Sequence, residues 1–171
     1  VYSNAEYHIT VEVKDDGKGG IETVTTIQRD GETVTSLDFV NTYTVKGVAE
    51  VELEGTKTLE GAELADGAFT FQMYAADENF TITGDPIQTA TNTDGRFNMN
   101  LSYTEADVGK TYYYVVKEQY AGQTIDGITY STAEYHITVE VKDDGKGGIE
   151  TVTTIQRDGE TVTSLDFVNT Y

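Results

Sequence analysis

Three polar residues fall where strand alternation directs apolar side chains, and their types form a reactive set. In residues 51–60, Val51, Leu53, Gly55, Lys57 and Leu59 share one face. Glu52, Glu54, Thr56, Thr58 and Glu60 share the other. Lys57 is thereby turned toward the core, where desolvation disfavours the ammonium and leaves a nucleophilic amine. Glu118 closes the run Tyr112–Glu118 on the face of Tyr112, Tyr114 and Val116, with Lys117 pointing the other way. A carboxyl in that company can donate a hydrogen bond and carry a proton. Asn169 lies in Leu165–Tyr171 on the face of Leu165, Phe167 and Tyr171, and its side-chain amide carbon is a weak electrophile.

Together the three permit one reaction. The neutral amine of Lys57 attacks the amide carbon of Asn169, Glu118 polarises the carbonyl and moves protons, and ammonia leaves. An amide then joins the two side chains. Contact supplies the effective concentration that a poor electrophile needs, and a dry core keeps water from competing. Any one inward polar residue is ordinary, since strands bulge and lysines snorkel. Three complementary ones, on the first, a middle and the last strand, set up chemistry.

The elements that must position them are strands. Tyr135–Val141 alternates strictly, with Tyr135, Ile137, Val139 and Val141 inward and His136 on the polar face, and Phe69, Phe71 and Met73 point inward from Phe69–Tyr74. Asp94-Gly95, Asp144-Gly145 and Asp158-Gly159 mark turns, and Thr104–Gly109 has the composition of one short helical turn. Short strands with turns every dozen or so residues predict an all-β, antiparallel sandwich.

Composition agrees. The 171-residue chain is rich in Thr, Val, Tyr and Gly, carries a net charge of −19 and has no cysteine. That charge argues against nucleic acid, which needs clustered Lys and Arg, and no apolar run is long enough for membrane insertion. With neither signal peptide nor sorting tail in view, the sequence reads as an excised piece. Lacking disulfides, it must be braced covalently, if at all, by other means.

The chain also repeats itself. Val1–Tyr43 recurs as Thr129–Tyr171 at an offset of 128 residues, with differences only at Val1/Thr129 and Asn4/Thr132. Residues 44–171 therefore read as one complete unit, and residues 1–43 as the C-terminal strands of a preceding identical repeat. The linker is Thr44–Val48. So close a copy suits a uniform spacer better than an enzyme.

Lys57–Gly61 followed by Gly67–Phe71, then Tyr112–Glu118, Gly127–Tyr130, Tyr135–Val139 and the closing Phe167–Tyr171, resemble in order and spacing the streptococcal pilin isopeptide-linkage domain. The resemblance spans essentially all of residues 44–171. It implies an immunoglobulin-like (Cna-B-type) β-sandwich in which Lys57 and Asn169 are cross-linked and Glu118 is the proton-shuttling, catalytic residue. It implies a single-turnover autocatalytic event rather than an enzyme, with no cofactor and no metal. It further implies an extracellular place on the cell surface, wall-anchored or in a pilus of a Gram-positive bacterium. The partners are then adjacent repeats of the same protein, with a host-surface ligand bound elsewhere in the parent.

Asn41 occupies the position of Asn169 in the first copy, with no lysine or glutamate partner before it. It could remain unreacted in a disordered tail, complement another chain by strand exchange through residues 1–43, or compete for Lys57. Isolated, those strands lack enough core to fold. A ligand-binding adhesin domain is the alternative function, with the loop Ala75–Asp85 as its place. The run Asp143–Gly148 reads as a hairpin turn, since it lacks the ligand spacing of a calcium loop. His8 and His136 are one position in two copies, and both point outward.

Overall fold

The computed structural model describes residues 1–171, which divide into two compact units, Val1–Thr44 and Val45–Tyr171. The first is a three-stranded antiparallel sheet of β1 (His8–Asp15), β2 (Ile21–Arg29) and β3 (Glu32–Val34). The expectation that these strands cannot fold alone is corrected: backbone pairing along β1 and β2 forms the sheet although Ile9, Val11 and Val13 are 53%, 54% and 66% exposed.

The second unit is an immunoglobulin-like sandwich of two sheets. One contains, in chain order, β4 (Val48–Glu60), β7 (Arg96–Thr104), β9 (Thr124–Ile125), β10 (Ile128–Thr129) and β14 (Leu165–Thr170), arranged β7-β4-β14-β10-β9. The other contains β5 (Thr70–Ala76), β6 (Gln88–Thr91), β8 (Thr111–Glu118), β11 (Glu134–Asp143), β12 (Ile149–Arg157) and β13 (Glu160–Val162), arranged β13-β12-β11-β8-β5-β6. Alternation along β4, β11 and β14 sends every second side chain into the space between the sheets. There Leu53, Phe71, Ile137, Leu165 and Phe167 are buried together. The helical turn expected near Thr104 is a single 3₁₀ turn, Glu105–Asp107, closed by a capping box between Thr104 and Asp107.

The antiparallel expectation holds for every pairing but one. β4 and β14, the first and last strands of the unit, run parallel, with Gly55 opposite Leu165 and Lys57 opposite Phe167. Parallel neighbours begin at the same end of the sheet, so the chain enters the sandwich at one end and leaves at the other. Gly55 permits the close pairing. A Cβ there would lie 2.1 Å from the Phe97 ring and 2.8 Å from the Leu165 carbonyl oxygen.

The outer face of the six-stranded sheet carries a cover that alternation does not foretell. In the loop before β6, Asp77 Oδ1 accepts hydrogen bonds from the backbone N–H of Asn79 and of Thr81. This turn lays Phe80 flat on His136, with ring centroids 4.2 Å apart, and edge-on to Tyr113. His136 does point outward, as expected, but under an aromatic lid. The run Asp143–Gly148 is the predicted hairpin turn: Asp144 Oδ1 accepts from the N–H groups of Lys146 and Gly148 at 2.7 and 2.8 Å.

Candidate functional site: a buried amine, carboxyl and amide

β4 and β14 bring Lys57 and Asn169 onto the inner face of the same sheet. β8 brings Glu118 to them from the opposite sheet. All three are buried, and the side chains of Lys57 and Glu118 have no solvent exposure. Lys57 is fixed where the β4–β7 ladder ends, its N–H donating to the Gly95 carbonyl at 2.8 Å. The Asp94-Gly95 turn thus sets where along β4 the amine leaves the strand.

One atom of Glu118 meets both side-chain nitrogens. Lys57 Nζ lies 2.9 Å from Glu118 Oε1, and Asn169 Nδ2 donates to the same Oε1 at 3.0 Å. Neither Lys57 Nζ nor Glu118 Oε2 has a well-directed hydrogen-bond partner of its own. Burial lowers the pKa of Lys57 from its usual 10.5, opposed in part by its contact with Glu118. A buried cation with unmet hydrogen bonds is costly. A neutral amine there is cheaper and carries the lone pair that attack requires.

The expectation that Glu118 polarises the Asn169 carbonyl is corrected. Oδ1 instead accepts a 2.7 Å hydrogen bond from the main-chain N–H of Ser131, in the segment between β10 and β11. A backbone N–H can only donate, so the amide oxygen must face it and the amide nitrogen must face the carboxylate. The geometry separates two duties. Ser131 N–H holds the atom on which negative charge would develop if the amine attacked. Glu118 Oε1 touches the nitrogen that would then lose a proton and the nitrogen that would gain one. A main-chain donor has no side-chain signature, which is why sequence reasoning missed it.

Two further residues support the amine. The Phe69 ring lies 4.4 Å from Lys57 Nζ and shuts it from one side. Phe69 is in turn tied down by Asn92, wholly buried, whose Oδ1 accepts from Phe69 N–H at 2.9 Å while its Nδ2 donates to the Ala65 carbonyl at 2.8 Å. Asn92 was not singled out in sequence. Its one pointer is its place just ahead of the Asp94-Gly95 turn.

In residues 1–44, Asn41 repeats the local half of this arrangement. Its Oδ1 accepts from Ser3 N–H at 2.8 Å, but the side chain is exposed. The first copy also repeats the bracing of the closing segment, although residues 35–43 form no strand there. The Tyr7 hydroxyl bridges the backbone of Asp38 as the Tyr135 hydroxyl bridges that of Asp166.

An immunoglobulin-like sandwich with a buried amine and a buried amide meeting at one carboxyl oxygen is the architecture of an isopeptide-bearing structural domain. The chain belongs to the family described as FctA, Spy0128-like isopeptide containing domain, whose model matches residues 1–44 and 53–171. That membership makes it a structural domain of the pilin and surface-protein kind, associated with an extracellular surface and with other pilin or repeat domains. No curated protein matches the chain. No helix is long and apolar enough to cross a membrane.

Proposed function

We propose that residues 44–171 are a stalk or spacer repeat of a wall-anchored or pilus-borne bacterial protein, braced by an autocatalytic isopeptide bond between Lys57 and Asn169. The observation that carries this reading is the pair of contacts on Glu118 Oε1, 2.9 Å to Lys57 Nζ and 3.0 Å to Asn169 Nδ2, in a site closed to solvent. Neutral Nζ attacks Cγ of Asn169 while Ser131 N–H stabilises the oxygen. Glu118 takes the proton from Nζ and delivers it to Nδ2. The Cγ–Nδ2 bond breaks, ammonia leaves, and Nζ and Cγ remain joined. The reaction occurs once per chain, so the domain is not an enzyme in the turnover sense. Residues 1–43 are, in the same reading, the closing strands of a preceding identical repeat.

The bond closes a loop of 112 residues. By analogy with a disulfide over such a loop, it stabilises by about 4–5 kcal/mol. It also converts a costly buried amine into a neutral amide, and unlike a disulfide it resists reductants.

Intact mass under denaturing, reducing conditions tests the proposal. The wild-type chain should fall short of its sequence mass by one ammonia, and peptide mapping should join Lys57 to Asn169. Lys57→Ala should show the full mass, and so should the monomeric fraction of Asn169→Ala. Glu118→Ala should also retain its ammonia, and its buried, unpartnered Lys57 amine should leave it less stable than Asn169→Ala by about 1–3 kcal/mol. A wild-type mass with nothing lost refutes the cross-link.

A further inference from the structure

The two copies of the repeated segment differ in what covers them. In the second copy Ile137, Val139 and Phe167 are each 0% exposed, sealed by the strands of residues 45–128. Their counterparts Ile9, Val11 and Phe39 are 53%, 54% and 60% exposed. The two positions at which the copies differ are exposed in both, so the face that would be covered is the same in each. The electrophile is prepared as well, since Ser3 N–H already holds Asn41 Oδ1 at 2.8 Å, as Ser131 N–H holds Asn169 Oδ1 at 2.7 Å.

We infer that the bare apolar face of residues 1–43 docks onto residues 45–128 of a second copy of this chain whose Lys57 has not yet reacted, displacing that copy's own closing strands, and that Asn41 then bonds to that Lys57. The inference rests on the reaction proposed above. The same atoms move: Nζ of one chain joins Cγ of Asn41 in the other, the Cγ–Nδ2 bond breaks, and Glu118 carries the proton to the departing ammonia. The occupant is a second copy because residues 45–128 already fit this sequence, at 41 of 43 identical positions, with every inward side chain unchanged. The displaced segment competes at the effective concentration of a tethered strand, on the order of millimolar. Once Lys57 is consumed by Asn169, exchange ends. The contact joins different surfaces of the two chains, so it propagates as an open series rather than closing as a two-fold dimer.

The test is the full chain carrying Asn169→Ala, unfolded and refolded at high concentration, then run on denaturing electrophoresis with intact mass. A ladder is expected in which each added chain costs one ammonia and the linked peptides contain Asn41 and Lys57. Asn41→Ala/Asn169→Ala should give no ladder, and the wild type should stay monomeric with its single deficit. A wild-type deficit together with a strictly monomeric Asn169→Ala overturns the inference and leaves the proposed function standing. A wild type without a deficit overturns both. Should Asn169→Ala fail to fold, Asn169→Leu, which keeps the buried volume, takes its place. The same Asn41–Lys57 ladder supports the docking, and a folded but strictly monomeric Asn169→Leu refutes it.

Discussion

Residues 1–43 and 129–171 set nearly the same sequence in two surroundings. In both, the first strand pairs with the second in identical register, His8 opposite Gln28 and His136 opposite Gln156. In both, a tyrosine hydroxyl bridges the backbone of the closing segment and a serine N–H holds the asparagine carbonyl. Strand pairing and the polarised amide are thus written inside the segment. Burial is not. Val13 is 66% exposed and Val141 1%, and the difference comes from residues 45–128. Those residues also supply the amine and the carboxyl. In the proposed reaction, reactivity would therefore be a property of assembly: the segment carries the polarised amide, and only the closed sandwich brings the amine.

Force separates the two regions most widely. Load entering unit two at Val45 runs along β4 to Lys57, crosses the proposed bond to Asn169, and leaves at Tyr171. Residues 58–168 lie outside that path, because the parallel pairing sets entry and exit at opposite ends. Pulled from its ends in a single-molecule experiment, wild-type unit two should show no unfolding step. Lys57→Ala should release roughly 110 residues, on the order of 350–400 Å of extended chain. Residues 1–43, with no lysine partner within their unit, should extend at low force in both proteins. A full-length step in the wild type would erase the contrast.

A smaller effect concerns pH. Burial lowers the Lys57 pKa below 10.5, so between the folded and unfolded values the unfolded chain holds a proton that the folded chain lacks. Stability then rises with pH across that window, because the unfolded state binds more protons. The penalty is full below the folded pKa and gone by about 10.5. Urea midpoints of the unlinked Asn169→Ala variant should climb through this alkaline range, and Lys57→Met/Asn169→Ala should lose the climb. Nothing in residues 1–43 should contribute, as no buried lysine lies there. A flat profile would mean that Lys57 is no more strained than a surface amine.

Much of this was legible in the sequence because alternation is a strict code. Parity alone placed Lys57, Glu118 and Asn169 inward, and the structure brings all three into contact. The hairpin turn at Asp143–Gly148 and the turn after Thr104 were readable from their residue types. The parallel pairing of β4 with β14 was not, since direction depends on which strands become neighbours after the whole chain has closed. Nor was Ser131, whose contribution is a main-chain N–H, nor Asn92, which acts on Lys57 only through Phe69. Parity also failed at Val115, which points away from the core yet is wholly buried on a face that alternation marks as solvated.

The loop that lays Phe80 on that same outer face offers the gentlest test of the comparison. His8 and His136 share their local sequence, and each reaches a neighbouring glutamate, Glu6 at 3.4 Å and Glu134 at 3.0 Å. Only His136 lies beneath an aromatic ring, stacked at an interplanar angle of 12°. Such a stack contributes about 0.5–1.5 kcal/mol beyond the area it buries. Phe80→Ala should therefore lower the stability of unit two by about that increment plus the lost burial, without altering the mass deficit. In proton NMR spectra the ring protons of His136 should lose their aromatic shielding and move toward those of His8. If they stay apart, the surroundings supplied by β8, rather than the Phe80 loop, distinguish the two histidines.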